Sequence, residues 1–505
     1  MAEIKTLKYF AGGEWRESKT TEYKEVMNPS TGEVLAKVPC CTREEVEQAV
    51  AAAEKAFPEW SQTPVLKRVQ VLYRFRDLLD RYMDELTDIV CHEHGKNWNE
   101  ARGDILKVKE PVEVACGAPT IMRGESLMNA STGFDATLYR EPMGVFAGIA
   151  PFNFPGMIPM GWMMPMCIAA GNTLVLKVAT ITPMTSMRMA ELLQEAGLPA
   201  GVVNLVTCNH QQSDFLLEHP AIKGITFVGS TKTGLHIYST AAAHGKRVQA
   251  LCEAKNHALV MSDAALERSA RAIINSAFGC AGERCMALPV VVAENTIADK
   301  LAGLLVEYAK ELKVGPAYDK ETGLGPVVSK QHKEHVLGWI EKGIQEGAKL
   351  VLDGREVTVP GFEGGYYLGP TIFDHVTEEM SIGTTEIFGP VLCIKRVDSF
   401  EEGIQIMNAN PFANGSVIFT QNGYFAREFA RRTDGGMVGV NVGIPVPVGV
   451  FPFCGHKHSF FGDLHCLGKD GMRFYTESKT ITTKWFDEEE KKQTVIDTWE
   501  GTVNQ

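Results

Sequence analysis

Gly144-Val145-Phe146-Ala147-Gly148-Ile149-Ala150-Pro151-Phe152-Asn153-Phe154-Pro155 decides how this chain is read. Its first half is an uninterrupted apolar run of strand length, and its second half ends that run with two prolines that favour an extended turn around Asn153. The run opens a series. Short β-rich segments at 145–149, 173–176, 202–206, 225–227 and 258–261 alternate with helix-periodic stretches, which predicts a mostly parallel sheet with helices on both faces. The alternation resumes between 275 and 450, through 290–292 and 391–397, and predicts a second α/β domain. Upstream, Asn28-Pro29-Ser30-Thr31-Gly32 is a turn signal. Thr42-Arg43-Glu44-Glu45 sets a capping threonine three residues before a glutamate, at the head of a long helical segment. Further helices are expected to about Ala115. The charged run 486–492, after Trp485, reads as a solvated tail or a surface helix.

Composition narrows the function. The chain has 505 residues, 45% hydrophobic and 22% charged, the balance of a soluble globular protein of about two to four domains. Its 62 acidic against 50 basic residues, with no dense basic block, lack the electrostatic footprint of a nucleic-acid binder; a small anion can still be met by local cations. The 12 cysteines show no paired zinc-site spacing, and most read as small buried hydrophobes in a reducing compartment. No apolar core of a signal peptide appears in 1–15, and the longest apolar run, 144–170, is interrupted by four prolines and Asn153. A cytoplasmic enzyme is expected, or an organellar one whose targeting segment has been removed, with no membrane partner.

Several segments carry candidate chemistry. His92-Glu93-His94 lacks the spacing that puts two ligands on one helix face, so no metal is expected there. Gly229-Ser230-Thr231-Lys232-Thr233-Gly234 matches neither the dinucleotide glycine fingerprint nor a P-loop. It follows a β-like run and opens a helix, so it reads either as a helix N-terminus offered to a phosphate or as a plain strand-to-helix turn. In Phe278-Gly279-Cys280-Ala281-Gly282-Glu283-Arg284-Cys285-Met286-Ala287, small residues surround Cys285, which follows an arginine. A nearby cation favours thiolate and small neighbours leave room for a substrate, against the default of a buried inert cysteine. Asn153 is either a turn residue that satisfies the backbone or a fixed donor aimed at a developing oxyanion.

Together, the P-F-N-F-P motif and the Cys285 segment resemble the aldehyde dehydrogenase superfamily. Further matches follow in that family's order: Asn28-Pro29-Ser30-Thr31-Gly32-Glu33, Leu174-Val175-Leu176-Lys177, Phe227-Val228-Gly229-Ser230 and Glu386-Ile387-Phe388-Gly389-Pro390, covering the chain to about Lys484. The closer resemblance is to the CoA-acylating methylmalonate-semialdehyde dehydrogenase branch. It rests on Gly282-Glu283-Arg284-Cys285-Met286-Ala287, Ala254-Lys255-Asn256-His257, and Ser459-Phe460-Phe461-Gly462-Asp463-Leu464-His465 with its continuation to Thr476.

The resemblance implies an α/β fold with a Rossmann-like cofactor domain (1–121 and 141–256), an α/β catalytic domain (257–450), a small β oligomerisation arm with the C-terminal segment (122–140 and 451–485) and a polar tail (486–505). The arm would pair subunits into a dimer or tetramer. Cys285 would be the nucleophile, with Asn153 and the Cys285 N–H as oxyanion hole. NAD or NADP would meet Ala150, Phe152, Lys177, Thr180, Ser230, the main chain of Cys252, and Glu386. Arg284 and Lys107 would bind the anionic group of a small aldehyde substrate. The deacylating glutamate of hydrolytic relatives falls on Leu251, which implies coenzyme A as acceptor of the thioester; a β-carboxylated substrate would lose CO2 before that transfer.

Three departures from the pattern matter. Lys107 stands where the branch has an arginine, so a point charge replaces a bidentate fork and a sulfonated aldehyde becomes an alternative to a carboxylated one. Thr180 replaces the glutamate that contacts the adenosine ribose, which leaves NADP as an alternative to NAD. Glu253 replaces a glycine two residues after Leu251, on the same side of an extended strand. It is a displaced base of a hydrolytic enzyme, a tolerated change, or a residue that reshapes the cofactor pocket. A hydrolytic dehydrogenase and a non-catalytic relative are the remaining rivals.

Overall fold

Thr42 caps the first long helix as its sequence predicts. In α1 (Arg43–Gln62) the threonine hydroxyl accepts the Glu45 N–H, and the Glu45 carboxylate accepts the Thr42 N–H. Val46, Ala49, Val50 and Ala53 recur at helical spacing and pack in one apolar cluster with Val145, Ala147 and Val175 of the first sheet. Six further helices frame the site: α2 (Met83–His94), α3 (Trp98–Cys116), α4 (Met184–Glu195), α5 (Thr231–Ala243), α6 (Leu266–Phe278) and α7 (Lys330–Gln345). The computed structural model describes residues 4–492, so the predicted tail past 492 and the start of the N-terminal stretch lie outside the described residues.

The first sheet has eight strands in the order Phe460–Gly462, Arg247–Leu251, Ile222–Val228, Val145–Ile149, Thr173–Lys177, Val203–Val206, Tyr9–Ala11, Glu14–Arg16. Its five central strands are parallel and its edges antiparallel. The opening apolar run, Val145–Ile149, lies inside this sheet, fully buried. The chain leaves it to build one side through Thr173–Lys177 and Val203–Val206, then returns to build the other through Ile222–Val228. Strand order therefore reverses beside Val145–Ile149, and such a reversal opens a crevice at the carboxyl ends of the strands. Both P-F-N-F-P and Gly229-Ser230 follow strands that end at that crevice.

The second sheet has seven strands in the order Lys349–Leu352, Thr371–Asp374, Val391–Val397, Val290–Glu294, His257–Val260, Gly415–Phe419, Met437–Val440. All of its pairings but that of Lys349–Leu352 are parallel. The chain passes from one sheet to the other in the short connection between Leu251 and His257. A third, three-stranded antiparallel sheet joins Glu125–Ser131, Phe134–Pro142 and Thr476–Lys484.

In the C-terminal segment, Phe460–Gly462 adds an antiparallel edge strand to the first sheet, Phe461 opposite Ala250. The apolar run 144–170 forms a buried strand, then a wide-turned helix Met157–Met163 leading into Met164–Ala170. No described helix is long and apolar enough to cross a membrane.

Candidate active site

The loop that carries Cys285 is bent by sequence. After α6 the chain makes a tight turn in which Cys280 and Ala281 take φ of 50° and 52° and Gly282 takes 77°. Gly282 is required: a Cβ there would lie 2.1 Å from the Gly389 carbonyl oxygen, so the Cys285 loop and the Glu386 loop touch backbone to backbone. The Cys285 carbonyl accepts the side-chain amides of Asn256, at 2.8 Å, and Asn414, at 3.2 Å. Asn256 also donates to Ala287 and accepts the Gly415 N–H, which ties the loop to the second sheet.

Cys285 lines a pocket with Ala254, Asn256, Arg284, Glu386 and Phe388. All twelve cysteines are free thiols, and only Cys285 and Cys454 are not fully buried. Burial, with Glu386 adding to it, pushes the Cys285 thiol up to about 12, so it is neutral in this state. The Arg284 charge favours thiolate as expected, but burial outweighs it. The guanidinium is already committed, with Nη2 3.0 Å from Glu100 and Nε 3.1 Å from Cys280 Sγ.

Asn153, in the turn after Val145–Ile149, reaches the Cys285 loop with its side chain. Its Nδ2 donates to the Glu283 carbonyl at 3.1 Å, which leaves the amide's second N–H for another acceptor. The turn that holds it is fixed from all sides. Thr182 donates to the Phe152 carbonyl, Ser186 to the Pro155 carbonyl, and Asp104 accepts the Met157 N–H. Asp104 pairs with Lys96 at 3.0 Å, both fully buried, and the Lys96 ammonium lies 3.5 Å above the Phe154 ring. Glu93 accepts the N–H groups of Met184 and Thr185 and so caps α4, which carries Thr185 and Ser186 against the turn. The His92-Glu93-His94 motif is thus a capping element, and the described residues hold no cluster that could bind a metal.

The expected cofactor residues gather at the crevice. Ala150 donates to the Lys177 carbonyl at 3.0 Å, and burial lowers the Lys177 pKa. Thr180 lies in the loop after that strand, half-buried. Ser230 is the N-cap of α5 but turns its hydroxyl to Thr233. Gly234 allows α5 to approach the sheet, because a Cβ there would stand 2.2 Å from Cys252 Sγ; this is the close helix–strand contact that a dinucleotide cradle needs. The Cys252 N–H donates to the Ser459 carbonyl. Glu386 accepts the Ala254 N–H at 3.0 Å, and its pKa is pushed up to about 8 by burial, with the Glu253 charge in support. Lys255, fully buried and without a partner at Nζ, is lowered to about 8.

Lys107 does not line the Cys285 pocket. It stands on α3, its side chain 45% exposed, with Nζ 2.6 Å from Glu110, which in turn accepts the Gly449 N–H. Glu253 points to α5, where its Oε2 accepts the Thr231 N–H at 2.9 Å. Sequence reasoning passed over Asn414, Glu100 and His332. Asn256, Glu283 and Ser459 stood in motifs it quoted, but only the folded contacts give them a place.

The profile of the aldehyde dehydrogenase family matches residues 15–481. Malonate-semialdehyde dehydrogenase 1 of Geobacillus thermodenitrificans is 51% identical over 482 residues, 95% of this chain and 99% of the relative. Malonate-semialdehyde dehydrogenase 2 of Geobacillus kaustophilus is also 51% identical, with the same coverage. Among solved structures, the methylmalonate-semialdehyde dehydrogenase of Oceanimonas doudoroffii superposes with a TM-score of 0.94 at 44% identity, over 96% of this chain and 99% of that one. A Sinorhizobium meliloti protein in complex with NAD, provisionally named for the same activity, gives 0.95 at 41% identity, over 96% and 99%.

Proposed function

Because the chain belongs to the aldehyde dehydrogenase family, whose members are oxidoreductases acting on aldehydes, we propose that it oxidises malonate or methylmalonate semialdehyde with NAD and transfers the acyl group to coenzyme A. The observation that carries the reading is the constellation at Cys285. A partly accessible thiol sits on a loop to which the Asn153 amide is hydrogen-bonded, and Leu251 occupies the place of a hydrolytic base.

Cys285 Sγ attacks the aldehyde carbon, and the oxygen of the resulting thiohemiacetal is met by the free N–H of Asn153 and the Cys285 main-chain N–H. A nicotinamide dinucleotide, when bound, supplies the hydride acceptor that turns this adduct into a thioester. The crevice residues fit such a group: Gly234 gives the close helix–strand approach, and Lys177 and Glu386 flank the strand ends. Leu251 is buried and Glu253 is engaged at α5, so neither activates a water, and the thioester waits for a thiol. Arg284, which lines the Cys285 pocket, is the cation for the substrate's carboxylate; Lys107 is paired with Glu110 outside that pocket. Arg284 shares its charge with Glu100, so the incoming anion competes with Glu100 for one guanidinium. Thr180 favours NADP as the second cofactor.

Cys285→Ala abolishes aldehyde-dependent NADH formation, read at the nicotinamide absorbance. Turnover of wild-type protein falls when coenzyme A is omitted; free acid released at the same rate without it overturns the acylating reading. A panel of malonate semialdehyde, methylmalonate semialdehyde and sulfoacetaldehyde, each with NAD and NADP, ranks the substrates.

A further inference from the structure

Glu283 lies two residues before Cys285 and is completely buried. Its main-chain carbonyl accepts the Asn153 amide, while its side chain runs to a different part of the fold. Oε1 accepts the Val328 N–H at 3.2 Å and stands 3.5 Å from Nε2 of His332, in the first turn of α7. That same Nε2 lies 2.6 Å from the carbonyl oxygen of Phe388, two residues past Glu386. Facing a carbonyl acceptor, Nε2 carries the proton and donates to Phe388, while the Glu283 carboxyl stands beside the ring without a hydrogen bond to it. Phe388 holds φ of 61°, a left-handed backbone that a side-chained residue adopts only when its surroundings fix it. The Glu283 carboxyl therefore stands where three parts of the site meet: the nucleophile's loop, the start of α7 and the loop of Glu386.

The carboxyl group is held as a neutral acid. Burial raises its pKa well above the carboxylate range, and Oε2 has no partner among the described residues. The charged and titratable groups around it are occupied or neutral. Lys96 is matched by Asp104, Arg284 by Glu100, and burial lowers the pKa of both His94 and His332, with His335 stacked on the latter. A buried acid that pairs with no cation is costly to keep, and its bonds run between the elements that hold the reacting groups.

We propose that Glu283 is a positioning residue of the reaction, its carboxyl group clamping the Cys285 loop to the Val328 N–H at the head of α7, beside the His332 ring that holds the Phe388 carbonyl. Thiol, Asn153 and Glu386 are thereby held in one register. This role rests on the function proposed above. It needs a neutral, hydrogen-bonding group of this length and no negative charge, so a carboxamide serves where an apolar chain does not.

The test compares Glu283→Gln with Glu283→Met, which fills the same space without polar atoms and so keeps the packing. Steady-state kinetics with malonate semialdehyde, NAD and coenzyme A are measured well below each variant's Tm. For Glu283→Met, kcat falls roughly ten- to a hundredfold, the scale of a small misplacement of reacting groups, while KM for aldehyde changes little. Glu283→Gln restores kcat and keeps the wild-type pH profile. Glu283→Met at wild-type kcat, or Glu283→Gln as impaired as Glu283→Met, overturns the clamp. Wild-type protein that forms no NADH with any aldehyde overturns the underlying function instead, so the two failures are told apart.

Discussion

At Thr231 the first-turn N–H of α5 is satisfied by Glu253 Oε2 rather than by Ser230, whose hydroxyl turns to Thr233. A diphosphate at the same helix end would require that N–H, so Glu253 and the cofactor compete for one donor. Glu253→Gln removes the competing charge and lowers the Kd for NAD in an equilibrium titration followed by protein fluorescence; an unchanged or higher Kd refutes the competition. A second residue-scale consequence concerns acid. Burial lowers the pKa of His257 to about 3, and that of His94 well below 6.5, so both rings are neutral in the fold. The unfolded chain binds protons at these rings below about pH 6.5, where the folded chain refuses them. Stability contributed by the neutral rings is thus complete above that pH and is lost as pH falls toward 3. Urea midpoints between pH 7 and 4 should fall with pH, and less steeply in His257→Gln.

At the scale of elements, much of the fold was legible because its signals are local. The Thr42 capping box, the buried strand Val145–Ile149 and the strand Val391–Val397 all lie where periodicity and capping placed them. The reactive loop was legible as a motif but not as a geometry. Arg284 beside Cys285 looks activating in sequence, and only the approach of Glu100 from α3, 184 positions away, shows that its charge is committed. Asn414 and His332 act through contacts that no local pattern encodes. Gly234 lies between these cases, since its spacing was visible and its reason is the Cys252 sulfur behind it. Gly234→Ala must push α5 from the sheet by the overlap of its new Cβ with Sγ. The expected result is a loss of about 1–3 kcal/mol in denaturant unfolding, the usual cost of overpacking, together with weaker NAD binding. Wild-type values for both would show that the helix is not held at this distance.

Across the whole molecule, two of the open sheet edges among the described residues have exposed apolar neighbours. Thr476–Lys484 pairs along its full length with Phe134–Pro142 on one side and with no described strand on the other. Met437–Val440 closes the second sheet in the same way. The arm exposes apolar side chains on both outer strands, Met128 at 84% and Leu127 at 61% on Glu125–Ser131 and Ile481 on Thr476–Lys484. Exposed Val440, Val442, Val448 and Phe451 follow the other edge. Long open edges with apolar neighbours invite pairing with another chain. Two complementary edges on one chain can satisfy each other twice across a two-fold axis, which closes the assembly and leaves no growing fibre. We therefore expect a homo-oligomer built through the arm. Met128→Lys combined with Ile481→Lys sets like charges along that surface. It should lower the mass seen by light scattering toward that of one chain and lower the Tm, because assembly stabilises whatever it binds. A double variant that keeps the wild-type mass would place the interface elsewhere.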